Sequence, residues 1–233
     1  MNSVTSKAIK ETILPENQEQ ITRSKFGPGE ETAHALTHGL GIMMGLAALS
    51  TLVTSSAKQG DPWKIVSFAV FGASLVFLYA ASTLYHASRS QSKKAFFRKF
   101  DHAAIFVLIA GTYTPFALVT LRGPWGWTIF GILWTMAIAG ITLKLMFFGR
   151  WAALSVVFYL VMGWIGVIAM RELFATLSVG GLLWLFAGGL SYTIGVIFYA
   201  WKSLPYNHII WHLFVLGGSI SHLMGFYLHV LYS

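Results

Sequence analysis

The sequence predicts an all-α fold, a bundle of seven transmembrane helices with a cytoplasmic N-terminus, and three observations predict it. Of 233 residues, 56% are hydrophobic and only 10% charged, whereas a soluble chain carries about 25% charged residues; the mean hydropathy is +0.66. Seven apolar stretches approach or exceed the ~20 residues that cross a bilayer. Lysines and arginines gather in alternate connections, the pattern that fixes membrane orientation.

Taken in order, Met1 to Gly29 is polar, mixed in charge and broken by Pro15 and Pro28. With no continuous apolar run it reads as a cytoplasmic tail without a cleavable signal. Residues 30–233 form the membrane domain. Span 1 runs from about Ala33 to Thr54, with Gly41 and Gly45 spaced to let a neighbouring helix approach closely. Lys58 to Lys64, containing Asp61-Pro62, is a turn, and span 2 covers about Ile65 to His86. A basic loop with Arg89, Lys93, Lys94, Arg98 and Lys99 leads to span 3, about Asp101 to Leu121, closed by Arg122-Gly123-Pro124-Trp125. Span 4 covers about Trp125 to Phe147 and span 5 about Ala152 to Met170, with Arg171 and Glu172 as the next turn. Leu173 to Trp201 is longer than a bilayer needs, so span 6 is placed at about Val179 to Trp201. Span 7 runs from about Tyr206 to Val230.

The tail holds Lys7, Lys10, Arg23 and Lys25; with the five cations after span 2, Lys144 and Arg150 after span 4 and Lys202 after span 6, twelve of the 16 basic residues lie on one side. Lys58, Lys64, Arg122 and Arg171 lie on the other, so the N-terminus is expected inside. The net charge of +8 is spread over these short loops, which suits anionic lipid headgroups rather than nucleic acid. No internal repeat is found, which argues against inverted-repeat transporter designs. Cysteine is absent, so any zinc site must use histidine, carboxylate and water, the donor set of catalytic rather than closed structural sites.

The chemistry concentrates in Asn207 to His222. His208 and His212 are four residues apart and stack on one helix face, close enough to share one metal ion. His222 lies ten residues further on, roughly 15 Å along the axis, too far to share it. In the expected orientation Glu31, His34, His38, His86, Asp101, His102, His208 and His212 all fall at the inner ends of spans. An aspartate deep in a span costs about 2.5–3.5 kcal/mol on insertion scales, so the clustering asks for a cation, a proton or water as partner. Glu31 and Asp101 can each also be helix N-terminal residues that favour the macrodipole or cap it. His34, His38, His102 and His229 read as hydrogen-bonded interfacial residues. His208 and His212, with His86 and Asp101, read as a metal site, with a proton relay or a structural network as alternatives.

At these residues the sequence resembles the hemolysin III family, the bacterial branch of the progestin and adipoQ receptors, in a superfamily shared with alkaline ceramidases. Glu31 to Gly41 (ETAHALTHGLG) resembles the opening motif, with His34 where receptors often have Asn. Ser82 to His86 (STLYH), Phe100 to Pro115 (FDHAAIFVLIAGTYTP), and Asn207 to His212 (NHIIWH) followed by ISH resemble the motifs of spans 2, 3 and 7. The resemblance implies that His86, His208 and His212 bind zinc, while Asp101 and Ser82 hold the attacking water or polarise its neighbours. Glu31 and His38 shape the same cavity without being ligands.

Three functions are expected from this. The first is a zinc-dependent intramembrane hydrolase of lipid amides or esters. The second is a non-enzymatic membrane regulator or receptor-like protein with a structural zinc. The third, a cytolysin as the family name suggests, finds no export signal and no amphipathic β pattern to support it. The resemblance also implies a role in membrane lipid and fatty-acid homeostasis, a bacterial inner-membrane location, and membrane lipid as partner and substrate.

Overall fold

The structure, a computed structural model, describes residues 26–148 and 152–233. The expected tail up to residue 25, and Arg150, lie outside the described residues. Among the described residues every regular element is helical, and seven helical spans are long and apolar enough to cross a membrane.

Helix α1 (Pro28–Gln59) starts five residues before the expected Ala33. Pro28 occupies the first turn, where its missing N–H costs nothing, and Glu30 Oε2 accepts from Gly27 N at 3.2 Å to close the helix start. Gly60, at φ 69°, ends the helix in the left-handed conformation that glycine adopts without a Cβ clash. Asp61 Oδ1 then accepts from Trp63 N at 2.9 Å and caps α2 (Pro62–Ala87). The basic loop expected before span 3 is helical from Gln91 on, leaving only Arg89 of its cations outside: α3 runs Gln91–Pro115. Lysine and arginine are good helix formers, so the helix projects past the apolar layer and carries Lys94 and Arg98 on its first turns.

Pro115 leaves the chain without one backbone donor, and Phe116–Thr120 continues as a π-helical stretch. Helix α4 (Pro124–Met146) follows. Span 5 is composite: α5 (Ala152–Trp164), a 3₁₀ segment (Ile165–Ala169) and α6 (Met170–Thr176). The 3₁₀ segment forms where Tyr113 Oη accepts from Gly166 N at 3.1 Å and donates to Gly163 O at 2.6 Å. Arg171 and Glu172 are therefore not the turn expected there; the break falls at Leu177-Ser178. Ser178 Oγ accepts from Gly181 N at 3.2 Å and starts α7 (Val179–Ala200). Helix α8 (Asn207–His229) is the seventh span.

Helix α2 packs between α1 and α3, and α8 packs chiefly on α7, with a smaller contact to α1. Aromatic rings fill the space between α2 and α8: Phe71 and Phe226 meet at 4.8 Å, and both are fully buried. In the middle of the bundle Tyr79 Oη donates to Ser219 Oγ at 2.7 Å, and Tyr192 Oη lies 2.9 Å from the same hydroxyl, so α2, α7 and α8 meet at one atom. At the face opposite the start of α1, Lys64 Nζ donates to Leu231 O at 2.9 Å and Ser233 O at 2.8 Å.

The expected close approach of α1 appears at Gly41, where an added Cβ would stand 2.4 Å from the Tyr79 ring. Tyr79 is fully buried and hydrogen-bonded, so it has little room to yield. Gly41→Ala should therefore lose about 1–3 kcal/mol through overpacking, read as a lower unfolding temperature in detergent; an unchanged temperature would argue against this helix contact.

Candidate metal centre

Four helices meet at the face where α1, α3 and α8 begin and α2 ends. Helix α1 brings Glu31, His34 and His38, which share one side at spacings of three and four residues. Helix α2 brings Ser82 and His86, one turn apart, α3 brings Lys94 and Asp101, and α8 brings His208 and His212.

His86, His208 and His212 come together: one ligand atom of each lies within 4.8 Å of the others. Their ring centroids are 5.3, 5.2 and 4.6 Å apart. Glu31, His34 and His86 form a second such group. Glu31 is not the helix cap weighed from sequence; its neighbour Glu30 caps. Instead Glu31 Oε2 lies 2.8 Å from His86 Nδ1, and its Oε1 lies 2.8 Å from Lys94 Nζ. A carboxylate on one ring nitrogen sets the tautomer and leaves the other nitrogen's lone pair for a metal. That other nitrogen, His86 Nε2, is buried with no hydrogen-bond partner among the described residues, as is His212 Nδ1. Buried polar atoms are nearly always satisfied, so these nitrogens fit a group that accepts lone pairs, and a divalent ion is one. Glu31→Gln should weaken metal affinity roughly 10–100-fold, as loss of such supporting groups does, measured by competition with a chromogenic chelator; equal affinities would deny Glu31 this role.

Ser82 and Asp101 both line the same cavity as His208 and His212, and Ser82 Oγ is buried with no hydrogen-bond partner among the described residues. The cavity, of about 250 Å³, extends past mainly aliphatic and aromatic walls to Phe116, Leu173 and His222, nearer the opposite face.

His34 and His38 are not the hydrogen-bonded interfacial residues expected. Both are buried, at 0% and 3% exposure, and none of their ring nitrogens has a hydrogen-bond partner among the described residues. His38 lies flat on His212, with centroids 3.6 Å apart and planes 15° apart. The signal was in the sequence: Glu31, His34 and His38 fall on one helix face. Phe26 covers the cluster, stacked on His208 at 5.0 Å and edge-on to His34 at 4.7 Å. His222 stands apart against Tyr192 at 5.8 Å. His102 turns its ring to Phe148, and His229 Nδ1 pairs with Ser178 Oγ at 2.8 Å near the opposite face.

These features define a polytopic, seven-helix membrane protein with a buried histidine and carboxylate cluster able to hold a metal ion. The chain belongs to the haemolysin-III related family, whose model matches residues 26–223. It is 46% identical over 201 residues to Hemolysin-3 of Bacillus cereus, covering 86% of this chain and 92% of that one. It is 48% identical over 192 residues to the Hemolysin-3 homolog of Bacillus subtilis (strain 168), covering 82% and 90%. A more distant relative, the Monocyte to macrophage differentiation factor of Homo sapiens, is 27% identical over 199 residues, covering 83% and 81%.

Proposed function

We propose that this protein is a zinc-dependent intramembrane hydrolase that cleaves an amide or ester bond of a membrane lipid, in the service of lipid and fatty-acid homeostasis at a bacterial inner membrane. The observation that carries the reading is the meeting of His86, His208 and His212 beside Asp101 and Ser82 at the polar end of an apolar cavity. Zinc held by the three imidazoles would supply Lewis acidity and bring the pKa of water down towards neutrality. The remaining roles fall to the chain. Glu31, held by Lys94, keeps His86 in the tautomer that points Nε2 inward. Asp101 receives the proton lost by the attacking water, and Ser82, on the same cavity wall, holds that water or polarises its neighbours. The apolar walls take the acyl chain and exclude bulk water, so the scissile carbonyl sits at the headgroup level. The positive-inside pattern puts this end on the cytoplasmic side.

The test is release of labelled fatty acid from N-acyl and ester lipids by the purified protein in vesicles, stopped by chelation and restored by zinc. No release from either class, with zinc bound, would sink the reading.

One observation favours a second reading, a regulator with a structural zinc. Helix α8 leans mainly on α7, so an ion joining His208 and His212 to His86 would fasten α8 to α2 across a gap filled by side chains. Bound zinc is worth on the order of 10 kcal/mol in small structural sites. This reading expects chelation to lower the unfolding temperature sharply with no lipid consumed.

A further inference from the structure

Away from the histidine cluster, the long cavity is lined by two polar groups that the proposed hydrolysis does not use, Thr112 on α3 and His222 on α8. Both residues are 6% exposed, and Thr112 Oγ1 and His222 Nδ1 are buried with no hydrogen-bond partner among the described residues. Buried polar atoms are nearly always paired. A helical threonine can return its hydroxyl to the carbonyl one turn back, as Thr114 does to Ala110 O at 2.8 Å, whereas Thr112 leaves its hydroxyl to the cavity. His222 is held by α7: its ring lies 5.8 Å from that of Tyr192 with planes 23° apart. Gly188, one turn before Tyr192, makes room for it, since an added Cβ would stand 2.5 Å from His222 Nε2.

The two groups stand at one depth. Helices α3 and α8 both begin at the histidine end; Thr112 is eleven residues beyond Asp101 and His222 ten beyond His212, roughly 15 Å along each axis. Phe116, one turn after Thr112, brings its ring to 6.3 Å from His222, so α3 and α8 face each other at this level. Between the two levels they line the cavity with Ile105, Leu108, Ile109 and Val215, all apolar. The lysines, the arginine and the aspartate that line the cavity come from helix ends and connections at its histidine end, so a charged group at the deeper level would have no counterion. A hydroxyl both donates and accepts, and so do threonine and a neutral imidazole.

We propose that Thr112 and His222 form a second recognition site, which takes a hydroxyl carried far down the acyl chain of the lipid whose polar end lies at the histidine cluster. Ligand cavities are mostly apolar, and the few polar groups they contain fix orientation and specificity; here the pair selects hydroxylated chains over plain ones. The proposal rests on the reading of the cavity as an acyl-chain site and is independent of turnover.

The experiment measures displacement of labelled oleic acid from the purified full chain by three unlabelled acids. These are oleic acid, ricinoleic acid, which bears a hydroxyl past the middle of its chain, and the isomer of ricinoleic acid with that hydroxyl beside its carboxyl. The wild type is expected to hold ricinoleic acid about tenfold tighter than oleic acid, the scale of one or two well-made hydrogen bonds. Thr112→Val and His222→Phe are each expected to remove that advantage and leave the affinity for oleic acid unchanged. Equal wild-type affinities for oleic and ricinoleic acid, an advantage that survives Thr112→Val, or the same advantage for the other isomer would each overturn the site and leave the acyl cavity standing. Thr112→Val keeps the side chain's shape, so it decides even where His222→Phe fails to fold. A wild type that binds none of the three acids saturably overturns this proposal and the acyl-chain reading together.

Discussion

Asp101→Asn is expected to stop lipid hydrolysis while the zinc stays bound. The substitution keeps size and shape and removes only the capacity to take up a proton. Asp101 belongs to neither of the two groups whose ligand atoms converge, which are His86 with His208 and His212, and Glu31 with His34 and His86. The ion should therefore not notice the change. Loss of a positioned general base lowers rates by about 10²–10⁴-fold, which takes turnover below detection in most lipid assays. The measurement pairs fatty-acid release with metal content on the same preparation. Turnover that survives, with zinc present, would remove Asp101 from proton transfer; zinc lost along with activity would make it a ligand instead.

Replacing His208 and His212 together with alanine should abolish chelator-resistant zinc and lower the unfolding temperature to that of the metal-stripped wild type. Both residues lie on α8, one turn apart, and their removal leaves, among the described residues, only the group of Glu31, His34 and His86 with converging ligand atoms. Any weak metal held by that remainder should wash away with chelator. Chelation should lower the unfolding temperature of the wild type and leave that of the double variant unmoved, which separates loss of metal from ordinary loss of packing. Metal content equal to the wild type after the same wash would eliminate the centre.

Much of this was legible in the chain. Seven apolar runs gave seven spans, and the spacing of His208 and His212 showed that they share a helix face. The span ends were less legible where helix and apolar layer part company. Gln91 to Lys99 is charged yet helical, and Arg171-Glu172 lies inside a span, because hydropathy reports burial in lipid and is silent on helices that run past it. His34 and His38 were misjudged for a different reason: one helix, read alone, does not disclose which neighbour its polar face meets. Only the fold shows that α2 and α8 bring three more imidazoles to that face. For Glu31 a helix cap and a place in the cavity both stayed open, since a carboxylate near a helix start suits either, and it is the α2 and α3 partners, His86 and Lys94, that decide between them.

The last helix is tethered to the second at three heights: imidazole rings at one end, the Tyr79–Ser219 hydroxyl pair in the middle, and the Lys64 ammonium on Leu231 and Ser233 at the other. A rod pinned at both ends and at its waist can bow but cannot swing. On the proposed reading, a lipid tail bound for the cavity would therefore enter through a flank away from the α2–α8 seam, on the side built from α4 to α7, which also lines the cavity.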